Sequence, residues 1–142
     1  MTDSDTPRLG GCQCGGVRYA FTGPVLRLII CYCRECQKQS ASAFAISVFI
    51  NRSQFRLTQG APHWWCRPTD SGHTLECAFC PTCGSRLWHQ RQGSTDALSI
   101  KGGSLDEPPD LTDAIHIWTS RKLPGLLLPT GSAQHLGQPV FE

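Results

Sequence analysis

The sequence has no long apolar run. Its longest, such as Leu26 to Ile30, fall far short of the roughly 20 residues a membrane-spanning helix needs. It has no helical stripe of three or more turns, which excludes a bundle of long helices. Charge is sparse, at 17% of residues, and nearly balanced, at a net +2. Scattered Lys and Arg at that balance argue against a nucleic-acid surface, and so little charge argues against a disordered chain. Met1 to Pro7 carries neither a basic start nor an apolar stretch, so no secretory signal is expected. A cytoplasmic address follows as the default, and thiols there stay reduced. Internal repeats are absent.

Turn formers and sulfur are abundant. Fourteen Gly and ten Pro in 142 residues favour short elements joined by turns within one domain. Large apolar residues recur at every second position in 17–22 and 43–50, where Phe44, Ile46, Val48 and Ile50 share one face. Further short strands are expected over 26–30, 55–58, 63–67, 74–79, 86–90, 97–101 and 114–119, with residues 68–72 as a hairpin connection. Residues 34–40 are mostly good helix formers and suit one short helical turn. Residues 1–9 read as a polar, flexible tail. The class is all-β, with strands spaced as in an antiparallel domain.

Nine cysteines, an odd number, in a reducing compartment point to metal binding or thiol chemistry and not to a disulfide framework. Cys80-Pro81-Thr82-Cys83-Gly84 is the strongest local signal. Such a turn aims both sulfurs at one ion, backbone amides can donate to the thiolates, and Gly84 supplies the dihedral that closes the turn. The competing redox-dithiol reading lacks the surrounding βαβ pattern. Cys12 and Cys14, and likewise Cys31 and Cys33, are two apart, so each pair shares a face of an extended backbone. Cys36 lies one helical turn beyond Cys33. The economical division gives Cys12, Cys14, Cys80 and Cys83 to one closed ion and leaves Cys31, Cys33 and Cys36 with a second. A rival division closes the first site with Cys31 and Cys33 and idles Cys12 and Cys14; spacing does not choose between them. A three-ligand ion keeps a position for water or substrate, the mark of a catalytic site. Cys66 and Cys77 lack metal-like spacing and read as core.

Taken in order, Gly11-Cys12-Gln13-Cys14-Gly15, Cys31-Tyr32-Cys33-Arg34-Glu35-Cys36, Ser42-Ala43-Phe44, Phe79-Cys80-Pro81-Thr82-Cys83-Gly84, Gly103-Ser104-Leu105-Asp106 and His116-Ile117-Trp118 resemble the glutathione-dependent formaldehyde-activating enzyme family. The resemblance implies a zinc-binding domain over residues 10–124 and a C-terminal extension over 125–142. It implies an Mss4-like fold with two zinc ions per chain: a structural one on Cys12, Cys14, Cys80 and Cys83, and a catalytic one on Cys31, Cys33 and Cys36. The activity it implies is a carbon–sulfur lyase type, joining glutathione and formaldehyde to S-hydroxymethylglutathione. Three positions depart from the usual pattern. Tyr32 stands where His is frequent, Ser40-Ala41-Ser42 replaces Ser-Gly-Ser, and Gly125 replaces an aromatic.

Among other residues, His116 is the best histidine for a fourth ligand or a base, against the reading of an ordinary hydrogen-bonded core histidine. Arg34 and Lys38 adjoin the middle thiols and could meet the carboxylates of glutathione, against the reading of solvated charges. The four Trp could line a pocket or simply pack. The leading expectation is a zinc enzyme acting on the glutathione adduct of a small aldehyde, with no nucleic-acid or membrane partner. The alternative is a non-catalytic Mss4-like zinc domain that binds a protein, which an exposed apolar patch at a sheet edge would favour.

Overall fold

A computed structural model describes residues 5–141. Residues 1–4 of the expected tail, and Glu142 of the expected extension, lie outside the described residues. The strands are β1 (Arg8–Gly11), β2 (Arg18–Phe21), β3 (Arg27–Cys31), β4 (Ala45–Asn51), β5 (Phe55–Gln59), β6 (His63–Pro68), β7 (Thr74–Phe79), β8 (Arg86–Arg91), β9 (Ala97–Lys101) and β10 (Ile115–Ile117); the helix α1 is Arg34–Ser40. Among the described residues this is an all-β protein with one short helix, as expected.

Two sheets form. The smaller has the order β1-β2-β5 and the larger β10-β3-β4-β9-β8-β7-β6. Two expectations need correction. Arg8 and Leu9, assigned to the tail, pair with Phe21 and Ala20, so β1 is part of the small sheet. The strands are not all antiparallel, because β10 runs parallel to β3, with His116 opposite Ile30 and Ile117 opposite Cys31. The segment after Pro124 is also built in. Ala133 and His135 exchange hydrogen bonds of 2.8 Å with His116 along the outer edge of β10.

Strand alternation sorts the large sheet into two faces. One row across it, Trp64–Ala78–Trp88–Ile100–Val48, faces the small sheet. There it meets Tyr19 and Phe21, and Phe55 lies 4.7 Å from Trp88 and 5.4 Å from Tyr19. This is the principal core, and Ile46, Val48 and Ile50 all pack in it or against it. The next row, Trp65–Cys77–His89–Ser99–Phe49–Arg27, lies on the opposite face, which no second sheet covers among the described residues. That face carries the cavity described below. Cys77 is fully buried, as expected of a core thiol, whereas Cys66 is exposed on the edge strand β6.

The helix begins at Cys33, whose sulfur accepts a hydrogen bond from the Cys36 amide at 3.4 Å. It ends at Ala41, in the left-handed region with φ 51° and ψ 39°. This is the position where the family pattern has Gly, and the left-handed conformation costs an L-residue about 1–2 kcal/mol. Ala41→Gly is therefore expected to stabilise the protein by about 1 kcal/mol, partly offset by the freer unfolded chain. A thermal melt should rise by a few degrees; an unchanged or lower Tm counts against strain at this cap.

Candidate metal centres and the adjoining cavity

Both thiol knuckles of the first cluster are local turns. In one, the Cys12 amide donates to the Val17 carbonyl and the Val17 amide donates back to Cys12 Sγ at 3.2 Å. In the other, the Thr82 and Cys83 amides point at Cys80 Sγ at 3.4 and 3.5 Å, and Gly84 takes φ 80°, the dihedral the motif demanded. The Gln13 amide donates to Ser85 Oγ at 3.0 Å and ties one knuckle to the other. The sulfurs of Cys12, Cys14, Cys80 and Cys83 all lie within 4.8 Å of one another. Cys12 to Cys14 is 3.6 Å and Cys14 to Cys80 is 3.7 Å. A tetrahedral ion with bonds near 2.3 Å requires sulfurs about 3.8 Å apart, so these four thiols fit such an ion.

The sulfurs of Cys31, Cys33 and Cys36 form the second cluster under the same limit. Of the two divisions the spacing allowed, the thiols adopt the economical one. Cys31 ends β3, Cys33 caps α1, and Cys36 follows in its first turn. Gln37 holds this loop. Its Nε2 donates to the Tyr32 carbonyl at 2.8 Å and the Arg121 carbonyl at 3.0 Å, while its Oε1 accepts from Arg34. Cys33 is pushed down to about 2 by hydrogen bonds from Cys31 and Cys36, and the same cluster pushes Cys31 far up. Three sulfurs within 4.8 Å of one another form a donor set from which a cation can displace the thiol protons.

Alternation also decides the fates of Tyr32 and His116. Cys31 faces the cavity side of the sheet, so Tyr32 turns to the other side, where it is buried among Ile30, Ala114, Phe44 and Leu126. His116, opposite Ile30, lies on that same far side. Its Nδ1 shares a 2.8 Å hydrogen bond with the Tyr32 hydroxyl, and its buried Nε2 has no hydrogen-bond partner among the described residues. His116 is thus not gathered with the three thiols and does not line their cavity. The replacement of His by Tyr at position 32 likewise leaves the cavity untouched.

The three thiols open into a cavity of about 670 Å³, inside the range of about 300–1,000 Å³ common for small-molecule sites. Lys38 lines it, whereas Arg34 does not and spends its guanidinium on Gln37. Sequence reasoning missed most of its cations. Arg27, Arg67, Arg86, Arg91 and Lys101 come from β3, β6, β8 and β9, so no local motif announces them. Glu35 and Asp96 are the acids in the wall, and Glu35 lies 3.9 Å from Arg67 across the rim. Lys101 donates to Ser47 Oγ at 3.0 Å, and burial pushes its ammonium down while the thiols of Cys36, Cys77 and Cys31 favour its charge.

His89 lies on the cavity floor, 7% exposed, and its Nε2 is 3.0 Å from Arg86 Nη1. A guanidinium only donates, so Nε2 accepts and the proton sits on Nδ1. Burial first, then Lys101, Arg86 and Arg67, pushes His89 down to about 2. The unfolded chain, with an ordinary histidine near 6.5, binds a proton that the folded chain refuses, so stability falls as pH drops below about 6.5. Between pH 7 and pH 5 this costs about 2 kcal/mol. Urea unfolding should show His89→Gln losing that much less stability over this interval than the parent; equal losses would exclude a buried neutral imidazole.

A profile of the family described as "Glutathione-dependent formaldehyde-activating enzyme" matches residues 7–121, a span holding both thiol clusters. The fold is similar to the crystal structure of a Rhodobacter sphaeroides protein at 24% identity and a TM-score of 0.58, covering 76% of this chain and 98% of that one. At that identity the likeness speaks for the fold, which is the Mss4-like, all-β arrangement. No helix among the described residues is long and apolar enough to cross a membrane.

Proposed function

Because the chain belongs to the glutathione-dependent formaldehyde-activating enzyme family, we propose that it is a zinc-dependent carbon–sulfur lyase-type enzyme that joins glutathione to a small aldehyde and reverses that reaction. The observation that carries the proposal is the pairing of a three-thiol cluster with a cation-lined cavity at its open side. Cys12, Cys14, Cys80 and Cys83 would hold a structural zinc, and Cys31, Cys33 and Cys36 a second one with a free position. A cytoplasmic address belongs to the same proposal.

When bound, the second ion supplies Lewis acidity, which favours the thiolate form of a thiol and polarises a carbonyl. The chain's own groups do the rest. Five Arg and Lys side chains from the sheet, with Lys38 from α1, attract an anionic thiol and oppose its escape. His89 and Ser99, paired across β8 and β9, offer neutral polar contacts in the same cavity. Gln37 fixes the ligand loop, so its geometry exists before substrate arrives. In the reaction the sulfur–carbon bond forms, the carbonyl π pair moves to oxygen, and the thiol proton is delivered to that oxygen.

The test is the exchange rate between free formaldehyde and S-hydroxymethylglutathione, measured by NMR with zinc-loaded protein. Acceleration over the uncatalysed exchange is expected. No acceleration sinks the formaldehyde assignment.

A second reading, a zinc domain that binds a protein, is favoured by Trp64 and Trp65, 44% and 49% exposed on the edge strand β6. Both rings already have partners. Trp64 packs edge-on to Trp88 at 5.7 Å, and Trp65 takes the Arg86 guanidinium at 5.4 Å while walling the cavity. The cavity beside the thiols therefore favours the enzyme.

A further inference from the structure

The cavity has two chemically different sides. Toward β9 and β8 it is polar and cationic, lined by Lys101, Ser99, His89 and Arg86. Toward β3, β10 and the C-terminal segment it is apolar, because Ile29 and Ile117 flank Cys31, and Phe49, Trp118 and Phe141 pack against the same cluster. These side chains come from β3, β4, the end of β10 and the C-terminal segment, so the wall is assembled from distant parts of the chain. Arg27 holds the outer ring of the wall in place, with its guanidinium 4.5 Å from the Phe141 ring centre and 5.8 Å from that of Phe49. Trp118 reaches the wall from a left-handed backbone, φ 55°, which an aromatic residue adopts only against strain. Its indole N–H donates to Gln138 Oε1 at 3.2 Å, fixing the ring against the C-terminal segment.

Formaldehyde has no substituent to place against such a wall. We propose that the carbonyl partner in this site is an aldehyde bearing an apolar group of several carbons, seated against Ile29, Phe49, Ile117, Trp118 and Phe141 while the glutathione part extends toward His89 and Ser99. The inference rests on the reading that the cavity takes glutathione adducts, and it changes which adduct is preferred. The chemistry balances as before. Glutathione sulfur bonds to the aldehyde carbon, the thiol proton passes to the former carbonyl oxygen, and a hydroxyalkyl thioether results without oxidant or reductant. A hydrocarbon wall discriminates by methylenes, each worth about fourfold in affinity when buried.

Binding of two stable thioethers to zinc-loaded protein, measured by calorimetry, separates the possibilities. S-hexylglutathione should bind at least tenfold more tightly than S-methylglutathione. Phe49→Ala should shrink that ratio. Phe141→Ala, at the end of the described chain and remote from strand pairing, should shrink it too, and it tests the wall even if the first variant misfolds. Affinities within about twofold of each other overturn the apolar subsite and leave the lyase reading in place. Failure of both thioethers to bind overturns the subsite together with glutathione as the thiol. A tenfold preference that neither variant diminishes places the hexyl chain elsewhere, and the proposal falls.

Discussion

Cys80→Ser is expected to cost the protein its cooperative fold. Cys80 is 1% exposed, and its sulfur accepts from two turn amides and sits 3.7 Å from Cys14. The two knuckles it helps to join are 66 residues apart in the chain, so the four-sulfur cluster closes a long loop as well as a metal site. A structural zinc site contributes on the order of 10–16 kcal/mol of apparent binding energy, while a domain's net stability is about 5–15 kcal/mol. Removing one of four thiolates therefore threatens a share of the stability comparable to the whole. A hydroxyl at position 80 neither matches the ion nor fills the space of sulfur in a core that includes Cys12, Leu87 and Leu105. Circular dichroism and zinc content together provide the check: no cooperative melt and loss of both ions. A variant that melts within a few degrees of the parent would mean that the cluster is not a stabilising metal site.

The features legible in the sequence were those determined by neighbours along the chain. The helix over Arg34–Ser40 and the strands around alternating apolar residues formed where the local pattern placed them, because side-chain burial on one face needs no distant information. The grouping of Cys12 and Cys14 with Cys80 and Cys83 was already the economical division, since each pair spans one turn and must find another pair. What escaped was pairing register. Arg8 and Leu9 show no alternation and read as the end of the tail; with Gly10 and Gly11 they form a strand because β2 offers an edge. His116 was the best histidine candidate because it lies on an alternating strand within the His116-Ile117-Trp118 motif, and in the structure its neighbour Ile117 is the residue that pairs with Cys31. In a parallel pair that single residue moves it to the opposite face, and no local signal states the register of β10 on β3. The cavity cations escaped for the same reason: each is an ordinary strand residue until the sheet order brings β6, β8 and β9 onto one face with β3.

Cys33→Ser is the substitution expected to separate chemistry from stability. Cys33 is half-buried, stands outside β3, and its sulfur caps the helix by accepting from the Cys36 amide. Serine is among the best N-cap residues, so the oxygen can take over this hydrogen bond and α1 should persist. The remaining supports of the loop, chiefly Gln37 with its bonds to Tyr32 and Arg121, are untouched. Tm should stay within a few degrees of the parent. The metal consequence is different. Loss of a residue that merely orients a ligand already costs about 10–100-fold in metal affinity or activity, and on the proposed function one of the three ligands would itself be lost. On the proposed two-zinc reading, zinc content should fall from two ions per chain toward one, and the formaldehyde–glutathione exchange rate by more than about 100-fold. The two readouts must move together. Full activity in a one-zinc variant would detach the reaction from Cys31, Cys33 and Cys36, and an unfolded variant would make the second cluster a structural site like the first.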